Sequence, residues 1–247
     1  MLVSPIKLPI LKPPKDDLLV ALQKSLPKLT ERTVIVIASK VVSIHEGRCI
    51  LIKEISDKDS LIKQEADQYL ERSEVPGQHI MHTMVQGTLM PSAGVDESNG
   101  NGYYILWPKN PQESAKMLWQ FLRGIYRISD LGVIISDSRS EPLRRGLGGI
   151  SIGFWGIEPL YDYRGTADLF GRLLKISRTN VIDSIASAAV FVMGEGSEST
   201  PAALVEDVPT VSFTDAPNSS LDSFIVPMEE DLFYPFLKSV PWKRGPR

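Results

Sequence analysis

The sequence predicts an α+β fold, built as one large globular unit or two small domains, and three observations point to it. Thr33–Ala38 and Leu131–Ser136 are continuous apolar, β-branched runs, the pattern of strands buried on both faces. Between Ser114 and Arg127, Ala115, Leu118, Trp119, Leu122, Ile125 and Tyr126 recur at the spacing of an amphipathic helix. Strand and helix patterns follow one another without the regular beat of a doubly wound sheet.

Taken in order, Asp17–Leu26 reads as a short helix, with Asp16 or Asp17 near its start and Pro27 past its end. Thr33–Ala38 is the first buried strand, and Arg48–Ile52 is expected to return beside it after a turn at Glu46-Gly47. Asp59–Arg72 is charged with sparse apolar positions, which predicts a surface helix. Gly87–Gly102 is too polar for core and too rich in glycine for a helix. After the amphipathic helix, Leu131–Ser136 ends at Asp137-Ser138, followed by a loop from Arg139 to Gly149 and a candidate strand from Ile150 to Gly156. Val181, Ile185, Ala188, Ala189 and Val192 predict a buried helix over Asn180–Met193, running into Gly194-Glu195-Gly196-Ser197. The last 25 or so residues carry four prolines and Trp242 and read as a capping tail or an interface arm.

With 43% hydrophobic and 23% charged residues, the 247-residue chain has ample material for a core. Its 27 basic and 30 acidic residues leave a net charge of −3, without long runs of one sign. Bulk attraction to nucleic acid is therefore not expected. Cys49 is the single cysteine, which excludes an internal disulfide framework and a thiolate metal cage, and it reads as a small residue beside a strand. No secretory signal and no bilayer-length apolar stretch is present, so a soluble cytoplasmic protein is expected.

Common nucleotide-binding motifs are absent: there is no G-x-x-x-x-G-K-[ST] phosphate loop, and Ser151 breaks G-x-G-x-x-G. His45, His79 and His82 lack the i, i+4 pairing of a helical zinc site. What remains are carboxylates beside glycines at the ends of elements: Asp96 in Asp-Glu-Ser-Asn, Asp137 after a buried strand, and Glu195 between Gly194 and Gly196. Hard oxygens of this kind suit Mg²⁺ or Mn²⁺ sharing its shell with phosphate. Each of these residues also has a bland reading as a turn former or solvated loop residue. Taken alone, the residues define a candidate metal–phosphate site and nothing narrower.

At these same loops the chain resembles the coenzyme F-420 γ-glutamyl ligase family. The matching stretches are Ile37–Ser43 with Glu46-Gly47-Arg48, Ala93–Asn99, Gly132–Asp137, Arg144–Gly146, Gly165–Asp168, Gly171-Arg172 and Met193–Gly196, in the family's order. The likeness spans roughly residues 4 to 212, leaving 213–247 as a tail. It implies two intimately packed α+β subdomains in an intertwined homodimer, which bind GTP and two divalent metals. Asp96 and Asp137 match family metal ligands, Ser138 a hydroxyl ligand of the second metal, and Glu195 an acidic or amide ligand. Ser39, Lys40 and Asn99 match positions lining the nucleotide. So do the N-terminal loop Lys7, Leu8, Pro9 and Ile10, and the stretch Met193, Gly194, Gly196, Ser197, Glu198, Ser199 and Thr200. Potassium is a further candidate cofactor by the same resemblance.

The activity implied is amide formation between L-glutamate and a carboxylic acid through an acyl phosphate, with GTP or ATP as cosubstrate. Arg144 or Arg145 is expected to hold a substrate carboxylate or the acyl phosphate. Three departures from the family pattern stand out: Ser92 replaces an asparagine, Ile44 replaces a basic residue, and Asp137–Arg144 reads Asp-Ser-Arg-Ser-Glu-Pro-Leu-Arg. The family has Asp-Thr-Phe-Gly-Arg-Pro-Trp-Arg there. The rewritten loop leaves two acceptors open, the F-420-0 deazaflavin or a pterin acid as in folate synthesis. A nucleotide-binding relative without catalysis is a further alternative.

Overall fold

A computed structural model describes residues 1–216 and 224–246. Strand β1 (Leu2–Ile6) leads to helix α1 (Leu18–Ser25), whose N-cap Asp17 accepts the Val20 N–H. Strand β2 (Thr33–Ala38) runs directly into α2 (Ser39–Glu46), which ends on Gly47 in the left-handed region. Next come β3 (Cys49–Leu51), α3 (Lys58–Glu65), β4 (Gln68–Tyr69), β5 (His82–Val85), β6 (Thr88–Pro91) and β7 (Tyr103–Ile105). Helix α4 (Pro111–Tyr126) is capped by Asn110, with proline at its first position, where the missing N–H costs nothing. Strands β8 (Leu131–Ser140), β9 (Leu147–Trp155), β10 (Leu160–Asp162) and β11 (Arg178–Asn180) precede α5 (Val181–Met193) and β12 (Ala202–Glu206). The chain closes with α6 (Tyr234–Leu237) and β13 (Lys243–Arg244).

A five-stranded sheet in the order β1-β12-β2-β8-β9 organises the molecule. Only β2 and β8 are parallel; the other pairs are antiparallel. Both faces are covered, which is why β2 is apolar from Val34 to Ala38: Ile35 and Ile37 enter one core with α1, α2 and α4. Val34 and Val36 enter the other with α5. The buried stripe of α4, Ala115, Leu118, Trp119 and Leu122, follows the predicted spacing. Fully burying a leucine such as Leu118 or Leu122 contributes about 1.5–3 kcal/mol. A second sheet, β13-β4-β5-β6, lies beside the first, and the end of the chain adds its edge strand. The architecture is mixed α and β, as predicted. Among the described residues no helix is long and apolar enough to cross a membrane.

Four expectations need correction, and one helix was not foreseen. Arg48–Ile52 does not return beside β2; its core, β3, pairs with β7, more than fifty residues further on. The charged stretch Asp59–Arg72 is helical only as far as Glu65 and buries Leu61 and Ile62. Gly87–Gly102 includes β6 and buries Met90, Ala93 and Val95. The loop expected over Arg139–Gly149 is mostly hairpin, because β8 extends to Ser140 and β9 begins at Leu147. Helix α2 had no counterpart in the sequence reading.

Candidate active site

Topology brings distant segments to one edge of the large sheet. Ala38 and Ser136 are partners at the carboxyl ends of the parallel strands β2 and β8. Ile37 pairs with Ala202 at the start of β12, and Ala202 pairs with Ile6 at the end of β1. The segments beyond these points, at residues 8–11, 38–41, 136–138 and 193–201, therefore meet, and the 94–99 loop closes over them. Together they enclose a cleft of about 440 Å³. The carboxyl ends of parallel strands are where open α/β sheets place ligands.

All but three of the site residues expected from the sequence line this cleft. Asp96, Asp137, Ser138 and Glu195 are there, with Leu8, Pro9, Ile10, Ser39, Lys40 and Asn99, and the loop Met193–Thr200. Lys7 is exposed just outside it. Arg144 and Arg145 are not brought in: both are exposed at the tip of the β8–β9 hairpin, where Arg144 Nη1 donates to the neighbouring Leu143 carbonyl.

Asp137 is the most constrained carboxylate. Its Oδ2 accepts from Ser39 Oγ at 3.2 Å and from the Trp107 indole N–H, and its Oδ1 accepts from Ser138 N at 2.7 Å. Burial pushes its carboxyl up to about 6; the three donors pull against this, and the Asp96 charge adds to it. Burial also works to raise Asp96, but the Lys40 ammonium and the Ser98 donors outweigh it and hold that carboxyl below its usual range. Lys40 Nζ lies 2.7 Å from Asp96 Oδ2 and also donates to the Ser98 carbonyl and hydroxyl.

Glu195 reaches the same edge through its loop, with Oε2 accepting from Ser138 Oγ at 3.4 Å. Asn99 Nδ2 donates to the Gly196 carbonyl at 2.9 Å, tying the Asp96 loop to the Glu195 loop. Leu8 N donates to Ser199 O, and Thr200 Oγ1 to Met193 O, which fixes the other side. Helix α2 starts at the cleft wall without a side-chain cap, since its N-cap is Ala38. Its first amides and the positive end of its dipole suit an anion. Ser136 Oγ is buried at the wall and has no partner among the described residues. Among these residues no three His, Cys, Asp or Glu side chains cluster tightly enough to cage a metal alone.

Sequence reasoning missed Trp107. It reads as one more core aromatic between Leu106 and Pro108, and only its contact with Asp137 gives it a place in the site.

Comparison with known proteins places the chain in a class of enzymes, the ligases that form a C–N bond. More narrowly, residues 5–207 match the family described as F420-0:Gamma-glutamyl ligase, and the chain belongs to that family. Among its relatives is the coenzyme F420:L-glutamate ligase of Methanopyrus kandleri, 37% identical over 82% of this chain and 85% of the relative. Proteins of the same name from Methanococcus maripaludis and Methanocaldococcus jannaschii are each 33% identical. Those matches cover 94% of this chain and 97% of the relative, and 92% and 94%, respectively.

Proposed function

We propose that the protein joins L-glutamate to a carboxylic acid in an amide bond, activating the acid with a nucleoside triphosphate, GTP or ATP. One observation carries this reading: Asp96, Asp137 and Glu195, from widely separated segments, line a single cleft with an uncapped helix N-terminus and Lys40. That combination offers hard oxygens for a cation beside positive groups for phosphate. Asp96, Asp137, Ser138 and Glu195 would hold two divalent ions, Mg²⁺ or Mn²⁺. Mg²⁺ held by these few oxygens would complete its shell with phosphate oxygens and water. When bound, the metal supplies charge neutralisation on the triphosphate.

A carboxylate is a poor acyl donor, because its leaving group would be an oxide. In the reaction proposed, an acceptor carboxylate oxygen bonds to the γ-phosphorus and the bond to the nucleoside diphosphate breaks. The glutamate amine then forms the C–N bond, loses a proton, and inorganic phosphate leaves. The chain's own part is positional. Lys40 and the first amides of α2 orient the phosphates. The Asn99–Gly196 link holds the two loops around them.

The family's description, F420-0:Gamma-glutamyl ligase, favours F420-0, in our reading a deazaflavin, as acceptor. The altered Ser138–Arg144 stretch favours a second reading, a pterin acid such as dihydropteroate. Purified protein with L-glutamate, Mg²⁺ or Mn²⁺, and GTP or ATP, offered F420-0 or dihydropteroate in parallel, tests both. A glutamate mass increment and stoichiometric phosphate release are expected on one acceptor. Their absence on every acceptor, with no metal-dependent nucleotide binding, rejects the ligase reading.

We also propose a homodimer. Leu169, Phe170 and Ile176, between β10 and β11, and Phe191 on α5 are almost wholly exposed, an unusual cost for a soluble monomer.

A further inference from the structure

Trp107 is 3% exposed and gripped at its backbone, its ring face and its ring nitrogen. Its carbonyl accepts from Arg48 Nε at 3.0 Å, and Arg48 Nη2 is in turn 2.6 Å from Glu65 Oε2. Its indole presses on Gly94, where an added Cβ would come within 2.1 Å of Nε1. The indole N–H donates to Asp137 Oδ2. The backbone completes the circuit. Asp96 exchanges N–H···O bonds of 3.0 and 2.7 Å with Ile105, two residues before Trp107. The segment that carries Trp107 is thus bonded through its backbone to the loop bearing Asp96, and through its indole to Asp137.

We propose that Trp107 is a positioning residue: it fixes the rotation of the Asp137 carboxylate and its separation from Asp96, and so tunes the divalent-cation site. The proposal rests on the metal–nucleotide reading given above. With the indole and Ser39 on Oδ2 and the Ser138 amide on Oδ1, the carboxylate cannot turn without breaking a bond. A cation then meets the one remaining lone pair, on Oδ1, held in a fixed direction rather than on a free rotor. Donors behind a ligating carboxylate act in this way on metal affinity. Mere core filling, in contrast, needs the volume and flatness of the ring but not its N–H.

The test separates shape from donor. In the full-length protein, Trp107 is replaced by benzothienylalanine, which keeps the bicyclic shape and has sulfur in place of N–H; Trp107→Phe is made in parallel. Mn²⁺ binding is followed by the electron paramagnetic resonance of the free ion, with a non-hydrolysable GTP analogue present. The isostere is expected to bind Mn²⁺ about 10- to 100-fold more weakly than wild type. Its KM for L-glutamate should stay within about twofold, because the role proposed for the indole N–H is confined to the Asp137 carboxylate. An isostere that binds Mn²⁺ like wild type overturns the proposal, whatever Trp107→Phe does. Should Trp107→Phe fail to fold, the isostere decides alone. A wild-type protein that binds no Mn²⁺ removes the metal reading itself, and this proposal with it.

Discussion

Gly148, Gly149 and Gly153 stand on one strand in three different surroundings, and alanine at each gives a different forecast. A Cβ on Gly149 would lie 2.6 Å from the Ala186 carbonyl oxygen and 2.7 Å from Val190 Cγ2. The first of these is helix backbone, and it cannot rotate away. Helix α5 is moreover bonded to this spot, since Ser187 Oγ donates to Gly149 O at 2.6 Å. Alanine must therefore push α5 off the sheet. Overpacking of this kind costs about 1–3 kcal/mol, and the upper half applies where backbone obstructs. Against it stands a gain of about 0.5–1 kcal/mol from the lower entropy of the unfolded chain. The net loss is about 2 kcal/mol, or about 4–8 °C in Tm for a chain of this size.

Gly148→Ala meets nothing within 4 Å and keeps only the gain, so it should melt slightly above wild type. Gly153→Ala meets the Pro111 carbonyl oxygen at 2.4 Å, on the face covered by α4, and should lose about as much stability as Gly149→Ala. Function separates these two. Helix α5 runs straight into Gly194–Thr200, so Gly149→Ala should also raise the KM for nucleotide, which Gly153→Ala should leave unchanged. Thermal and urea melts at one fixed protein concentration, with nucleotide titrations, make the comparison. Gly149→Ala melting within a degree of Gly148→Ala would refute the packing argument.

Asp137→Asn should abolish Mn²⁺-dependent nucleotide binding yet stabilise the metal-free protein at high pH. The folded protein holds the Asp137 proton up to about pH 6 and the unfolded chain only to about 3.8. The penalty for ionisation is therefore fully present above about pH 6 and gone below about 3.8. At about 1.4 kcal/mol per pH unit this is about 3 kcal/mol, reduced to about 2 because the residue borders an open cleft. The asparagine N–H facing the Ser138 amide takes back about 1 kcal/mol. A melting difference between variant and wild type that is the same at pH 8 and pH 4 would contradict this. Lys40→Ala, which removes a cation from the cleft, should raise the KM for nucleotide by about 10- to 100-fold with little change in the KM for glutamate; equal changes in both would point to general disruption. Phe170→Glu, outside the cleft lining, should shift sedimentation from dimer to monomer, and a monomeric wild type would dispose of the dimer.

What was legible in the sequence was whatever repeats within a helical turn or a strand. Strand β2 and helices α1, α4 and α5 fall within a few residues of their predicted bounds, because burial imposed a continuous or periodic pattern on each. Helix α2 escaped because it is eight residues long, begins on Ala38 without a polar cap, and carries adjacent valines. The β8–β9 hairpin escaped for a more instructive reason. Its glycines suggested a loop as far as Gly149, yet Gly148 and Gly149 are strand positions, and at Gly149 helix backbone approaches too closely for any side chain. The same ambiguity governs the site. Asp96 and Asp137 stood out as carboxylates at element ends, and sheet register then delivered them to one edge. Arg144 and Arg145 looked equally plausible beside them, but a hairpin tip carries them outward. Trp107 had no local signature at all, because its consequence lies in a bond to a residue thirty positions away. Local pattern thus selects which side chains are chemically fit for the site, whereas pairing register decides which arrive and which neighbours orient them.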